Sequence, residues 1–158
     1  MPEKRSKSSK RTYILTAVDL VTHLCLTLGL AYIMYRVSGR ISWGIMAFTG
    51  GVLIDLDHFV DYGMYYGFRF HPGRFFSHAY LASGKTYLFL HSWELVAGLW
   101  ILSIFFRILL PLAAGMTLHL AIDMLLSRRE DPKILLLWYR WKNSFSLDKL
   151  SRGRDRAL

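Results

Sequence analysis

Long apolar runs, separated by short polar or basic stretches, dominate the chain. The runs cover residues 12–35, 41–65, 86–106 and 108–126, and each approaches the roughly 20 residues that a helix needs to cross a bilayer. The pattern predicts an all-α, polytopic membrane four-helix bundle over residues 12–127, with an interfacial loop at about 63–85. A basic tail, 1–11, precedes it. Residues 128–158 are expected to form an amphipathic and basic cytoplasmic segment, with an interfacial helix over 134–150.

Positive charges flank the runs unequally. With the N-terminus inside, seventeen of the twenty Lys and Arg residues face the cytoplasm, and only Arg36, Arg40 and Arg107 lie outside. The positive-inside rule then places both termini in the cytoplasm and the protein in the inner or plasma membrane. The net charge of +9 therefore indicates membrane orientation rather than nucleic-acid binding, and the expected partner is membrane lipid. The first run is too long for a signal peptide and is expected to be retained.

Ten ionisable side chains interrupt the apolar runs, and all are Asp, Glu or His. They are Asp19, His23, Asp55, Asp57, His58, Asp61, His91, Glu94, His119 and Asp123. An unpaired Asp near the centre of a membrane helix costs about 3 kcal/mol, and no Lys or Arg accompanies these groups. Their spacings of three and four put pairs on one helix face, and the predicted topology puts all four helices' pairs at a similar depth. Bound divalent cations or protons are therefore required to neutralise them.

The residue types predict a metal centre near the cytoplasmic leaflet. The expected ligands are His23, Asp55, Asp57, His58, His91, Glu94, His119 and Asp123. Nitrogen and oxygen ligands without sulfur suit Zn, with Mn or Fe as alternatives, and the number of carboxylates favours two or more ions. Asp61 or Glu94 is the candidate general base. An alternative for Asp55 or Asp61 is to orient a ligating His from outside the metal's own ligand set.

The loop between the second and third runs is rich in aromatic and basic residues. One interpretation is an interfacial belt with aromatic anchors. The other is a lid over the site, in which three cations grip a lipid phosphate and two histidines add ligands or a proton donor. The residues concerned are Arg69, Arg74, Lys85, His71 and His78.

Four short motifs resemble those of a known family. They are Thr22-His23, the stretch Gly-Gly-Val-Leu-Ile-Asp-Leu-Asp-His from Gly50 to His58, the pair His91-Ser92, and His119-x-x-x-Asp123. In this order they resemble the YdjM-like inner-membrane metal-dependent hydrolases, a family distantly similar to zinc-dependent phospholipase C and P1-type nucleases. The resemblance implies metal ligation by the matched positions His23, Asp57, His58, His91, His119 and Asp123.

These observations predict a membrane-embedded, phosphoesterase-like hydrolase that uses metal-activated water on a phospholipid or another lipid-linked phosphoester. The alternative is an ion or proton transporter, or a metal-binding membrane protein without hydrolytic activity, because intramembrane acids also mark ion pathways. A di-iron carboxylate oxidase is less favoured. That design needs two Glu-x-x-His motifs, and this chain has one reversed motif, His91-x-x-Glu94.

Overall fold

The computed structural model describes residues 3–126 and 132–151, which are helical with short irregular connections. The α-helices are α1 (Glu3–Ser38), α2 (Ile41–Leu53), α3 (Leu56–Tyr66), α4 (Pro72–Phe76), α5 (Trp93–Phe105), α6 (Leu109–Leu126), α7 (Leu137–Lys142) and α8 (Leu147–Ser151). Two 3-10 helices cover Ala79–Ser83 and Pro132–Leu135. Within the described part of the chain there is no β-strand, only a bridge between Lys85 and Ser146. The predicted all-α class is confirmed.

Helix α2 packs between α1 and α6, and α5 packs against α6. Small residues allow the close approach of α2 and α6. A Cβ added at Gly115 would overlap the carbonyl oxygen of Ala47, and one at Gly50 would overlap that of Leu112. A Cβ at Gly51 would lie 2.6 Å from Thr27 on α1. The helix backbones therefore touch where the two segments cross, as small residues permit in membrane bundles.

The second predicted segment is not one helix. It divides at Ile54 and Asp55, where the N–H groups of Asp55 and His58 bond to carbonyls three residues back, Val52 and Asp55, at 3.3 and 3.1 Å. Such bonds tighten the turn relative to an α-helix. Asp55 thus lies at the junction between α2 and α3.

The third predicted segment also differs. Helix α5 begins at Trp93, after the side chain of Ser92 caps it by accepting a hydrogen bond from Leu95 N at 3.3 Å. Residues 86–92 are not helical, so the expectation that His91 and Glu94 share one helix face is wrong. The consequence is that backbone N–H groups before α5 have no helical acceptor and need other partners.

The predicted single C-terminal helix is instead the 3-10 helix at 132–135 followed by α7 and α8. Trp138 and Trp141 are exposed on α7, whereas Arg140 between them is buried. The segment after α7 is tied to the chain before α5. Thr86 N donates to Phe145 O at 3.0 Å, and Leu147 N donates to Gly84 O at 2.9 Å.

Within residues 3–126 and 132–151, two helical stretches are long and apolar enough to cross a membrane, Ile14–Ser38 and Leu109–Leu126. Most apolar side chains on the first are exposed, among them Ile14, Val21 and Leu28, so it is not a buried core helix. Helices α2 and α5 have 13 residues each, which at 1.5 Å per residue reach about 20 Å of a roughly 30 Å hydrocarbon layer. The arrangement of four spans, and the cytoplasmic location of the termini, stay predictions.

Candidate metal centre

In the part of the chain that the structure describes, two groups of side chains could each hold a metal ion. The first consists of His23 from α1 with His119 and Asp123 from α6, and the second consists of Asp55, His58 and His91. In each group the candidate ligand atoms lie within 4.8 Å of one another. The structure thus brings together six of the eight residues that the sequence predicts as ligands.

The two groups meet at the carboxylates of Asp55 and Asp123. Asp123 Oδ1 lies 3.1 Å from His23 Nε2, and its Oδ2 lies 3.5 Å from His119 Nε2 and 3.9 Å from His91 Nε2. Asp55 Oδ1 lies 3.6 Å from His91 Nε2 and 3.4 Å from His119 Nε2. Each carboxylate therefore faces histidines of both groups, the position of a ligand shared between two ions.

Most of these separations are too long for good hydrogen bonds, which place nitrogen and oxygen at about 2.7–3.2 Å. They match the spacing of atoms around a metal. Four ligands at about 2.0–2.1 Å from a tetrahedral zinc lie about 3.3–3.4 Å from one another. His23 Nε2 is buried, and it has no hydrogen bond of acceptable geometry to any described residue. This holds although Asp123 Oδ1 lies only 3.1 Å away. Cation binding would satisfy these atoms together.

All four histidines of the two groups use Nδ1 for a different partner. In His23 this atom lies 3.0 Å from the carbonyl oxygen of Asp19, and in His119 it lies 2.8 Å from that of Gly51. A carbonyl oxygen only accepts, so Nδ1 carries the proton in both rings and Nε2 is the nitrogen turned towards the carboxylates. Without a proton of its own, Nε2 can ligate a metal ion. The bond to Gly51 depends on the close approach of α2 and α6.

In the second group, His91 Nδ1 lies 3.3 Å from Asp57 Oδ2, and His58 Nδ1 lies 2.9 Å from the hydroxyl of Tyr80. The Asp57–His91 pair has the arrangement found behind many metal-bound histidines, in which a carboxylate fixes the ring from outside. Sequence reasoning missed Tyr80. No local pattern marks it, because it meets His58 only through the path of the loop.

Asp57 and Asp61 face the irregular segment before α5. Asp57 Oδ2 also accepts hydrogen bonds from the N–H groups of Leu90 and His91. Asp61 accepts from Tyr87 N and from the hydroxyl of Thr86, each at 3.1 Å. Both carboxylates are buried, and they provide the partners that the non-helical N–H groups require.

Glu94 likewise lies outside both groups. Its carboxylate accepts hydrogen bonds from Leu137 N at 2.9 Å and Trp138 N at 3.0 Å. The side chain thus joins α5 to the start of α7. The structure places Asp57, Asp61 and Glu94 around the candidate centre rather than among its two groups.

The cluster is covered at three of its histidines and open at His58 and the two carboxylates. The side chains of His23, His91 and His119 are at most 5% exposed, compared with 28% for His58, 37% for Asp55 and 22% for Asp123. Since the shared carboxylates border the opening, a small molecule could reach ions held between them.

Of the loop residues predicted to bind substrate, His78 lies beside the second group, and the other four contact residues outside the two groups. The His78 ring lies 6.2 Å from that of His58, and burial lowers the pKa of His78. The guanidinium of Arg74 lies over the Tyr66 ring, 5.2 Å from its centroid. The backbone of Lys85 forms an isolated antiparallel β-bridge with that of Ser146. Arg69 and His71 are exposed and flank the hydroxyl of Tyr62, which donates to the carbonyl of Arg69 and accepts from the N–H of His71.

A second residue that sequence reasoning missed is Arg140, which is fully buried although its neighbours in sequence are exposed or half-buried. Its Nη2 donates to the carbonyl oxygen of His91 at 3.0 Å. Burial lowers the pKa of Arg140. The sequence signal was misleading, because a basic residue between tryptophans is typical of a membrane interface.

Comparison with known proteins identifies no relative: no protein-family model, curated protein or solved structure matches this chain. The family resemblance of its short motifs therefore stays a prediction.

Proposed function

We propose that the protein is a membrane-embedded, metal-dependent hydrolase that cleaves phosphoesters carried by membrane lipids. One observation carries the proposal. Four imidazoles are each anchored through Nδ1, and their Nε2 atoms are directed towards two carboxylates, Asp55 and Asp123, that face both groups. Histidine cores that serve only for packing do not need this common orientation.

The ligand set is compatible with an anionic substrate. Asp55 and Asp123 contribute two negative charges, and Asp19 and Asp57 lie behind His23 and His91, 3.5 and 3.3 Å from their Nδ1 atoms. Two divalent ions would balance these four charges, and their unfilled ligand positions on the open side would accept the oxygen atoms of a phosphate group. When bound, a pair of such ions activates water and stabilises the attacking and leaving oxygens of a phosphoester displacement. Zn is the metal that the donor atoms suit best, with Mn and Fe as alternatives.

The remaining acidic side chains act as supports in this proposal. Asp57 orients His91, Asp61 holds the backbone around Tyr87, and Glu94 holds the start of α7. Because Asp61 and Glu94 already accept backbone hydrogen bonds away from the two groups, we do not propose either as the general base.

A lipid substrate follows from the surroundings of the site. Helix α1, which supplies His23, is long enough to cross a membrane and carries exposed apolar side chains along its length. Such a surface is costly in water and is accommodated by lipid. A phosphoester held at the membrane would therefore be delivered beside the centre.

The test uses protein purified in detergent, metal analysis, and a panel of water-soluble and lipid phosphoesters. We expect about two bound transition-metal ions and hydrolysis of at least one lipid phosphoester. Asp123→Asn should remove most of the bound metal and most of the hydrolytic activity, while the helical content is retained. The control is Lys149→Gln, a charge-removing change at an exposed position of α8, which should behave as wild type.

Protein without transition metal would contradict the metal centre. Bound metal without hydrolysis across the panel would contradict the enzymatic part alone. In that case, metal or proton flux in liposomes that Asp123→Asn abolishes would identify a transporter instead.

A further inference from the structure

His91 differs from the other three histidines of the centre in its backbone. His23 lies in α1, His58 in α3 and His119 in α6, so helical hydrogen bonds hold their main chains. His91 lies in the irregular segment before α5. The position of its ring therefore depends on contacts that the rest of the protein makes with this segment.

Two contacts hold the main chain of His91 on either side of its Cα. Its N–H donates to Asp57 Oδ2 at 3.0 Å, and its carbonyl oxygen accepts from Arg140 Nη2 at 3.0 Å. Asp57 belongs to α3, within the helical body that also supplies His58. Arg140 belongs to α7, so the second contact comes from the C-terminal segment.

Arg140 is an unusual choice for an ordinary packing position. Its side chain is fully buried, and its Nε and Nη1 atoms have no hydrogen-bond partner among the residues that the structure describes. Burying a guanidinium with unsatisfied donors is unfavourable. Electrostatic attraction from Asp57, Glu94 and Asp61 offsets part of this cost. The hydrogen bond that the guanidinium donates is to the carbonyl oxygen of His91, and this contact is the one that bears on the metal centre.

The C-terminal segment has further ties to the same stretch of chain. Glu94 bonds to the N–H groups of Leu137 and Trp138, and Thr86 N bonds to the carbonyl of Phe145. These contacts hold α7 against the segment that contains His91, and they place the guanidinium of Arg140 behind it.

From this arrangement we propose that Arg140 is a positioning residue for the second metal group, and that the C-terminal segment, residues 132–151, completes this group by holding His91. The inference rests on the metal centre of the proposed function. It predicts that the binding of the two ions depends on different parts of the chain. The three residues of the first group, His23, His119 and Asp123, lie in the regular helices α1 and α6. The group of Asp55, His58 and His91 additionally requires the docked C-terminal segment, because His91 lies outside a helix.

The test is titration of the metal-free full-length protein with Co²⁺, followed by its visible absorption. Arg140→Met removes the donor and the charge with little change in volume. We expect one ion to bind within about 3-fold of wild type and the other to bind about 10- to 100-fold more weakly, the range typical for loss of a group that orients a ligand. The Co²⁺ spectrum of the weakened site should also change.

Two further variants make the result decisive. Lys142→Met lies on the same helix with its side chain exposed near Trp138 and should leave both affinities unchanged. Arg140→Lys retains the charge but not the planar guanidinium. The Co²⁺ affinity of its second site should therefore lie between those of wild type and Arg140→Met. If Arg140→Met does not fold, this variant decides the question.

Wild-type affinities and spectrum in a folded Arg140 variant, with only a lower melting temperature, would overturn the inference and leave Arg140 a purely structural residue. Equal weakening of both ions would also overturn it. A wild-type protein that binds two Co²⁺ ions but hydrolyses nothing would contradict the proposed enzyme without affecting the role of Arg140. Wild-type protein that takes up no Co²⁺ would contradict both.

Discussion

Replacement of Gly115 by alanine tests whether the metal centre depends on the contact between α2 and α6. The new Cβ would overlap the carbonyl oxygen of Ala47 and would lie 2.9 Å from the backbone nitrogen of Gly51. A carbon–oxygen contact normally needs about 3.3 Å or more, so the helices must separate by about 1 Å. Both obstacles are backbone atoms, which cannot move away as a flexible side chain can.

The separation has a stability cost and a cost to the site. Forcing extra atoms into a packed interior destabilises by about 1–3 kcal/mol, which corresponds to a melting temperature lower by roughly 2–12 °C in a chain of this length. His119 lies one helical turn from Gly115 and bonds to the carbonyl of Gly51 across the same contact. A displacement of about 1 Å is large compared with the roughly 0.2 Å tolerance of metal–ligand distances.

We therefore expect Gly115→Ala to lose at least one of the two ions as well as stability. The assays are thermal unfolding in detergent and metal content after dialysis against a metal-buffered solution. Gly98→Ala on α5 is the matched control, since nothing lies within 4 Å of its added Cβ, and it should be neutral or stabilising by about 0.5–1 kcal/mol. Equal stability and equal metal content in the two variants would refute the argument from close packing.

Two other predictions concern the loop and the topology. Tyr80→Phe removes the hydrogen bond to His58 Nδ1 and should weaken Co²⁺ binding about 10-fold with little change in helical content; unchanged affinity would show that Tyr80 does not orient the ring. In a Cys25→Ser background, a cysteine at the exposed Val37 should react with an impermeant reagent in intact cells, whereas one at Lys149 should react only after the cells are opened. The reverse pattern would contradict the charge-based orientation.

Several features of the centre followed from residue spacing along single helices. His119 and Asp123 are four apart on α6, and the structure places both in the first group. The small residues Ala47 and Gly51 are also four apart, a spacing that predicts close helix packing, and α2 makes such a contact with α6 through Gly115. Both predictions depend on helical periodicity, and the sequence displays that periodicity directly.

Predictions that required an uninterrupted helix were less accurate. The second run divides at Asp55, and α5 begins only after His91. Apolar content alone does not distinguish a long helix from two shorter ones joined by a tight turn. The Ser92 cap lies within an otherwise apolar stretch, and its effect on the helix start is apparent only with the neighbouring backbone in place.

The sequence alone determines three features: the all-α class, the helices long enough to cross a membrane, and a set of acids and histidines that needs neutralisation. All three depend only on composition and local periodicity. The tertiary structure decides which acids face the centre. Asp55 and Asp123 face both groups, whereas Asp57, Asp61 and Glu94 accept hydrogen bonds from backbone N–H groups. Those N–H groups need acceptors because the chain leaves the helical conformation before α5 and again before α7. Which carboxylate reaches them depends on contacts between residues distant in sequence.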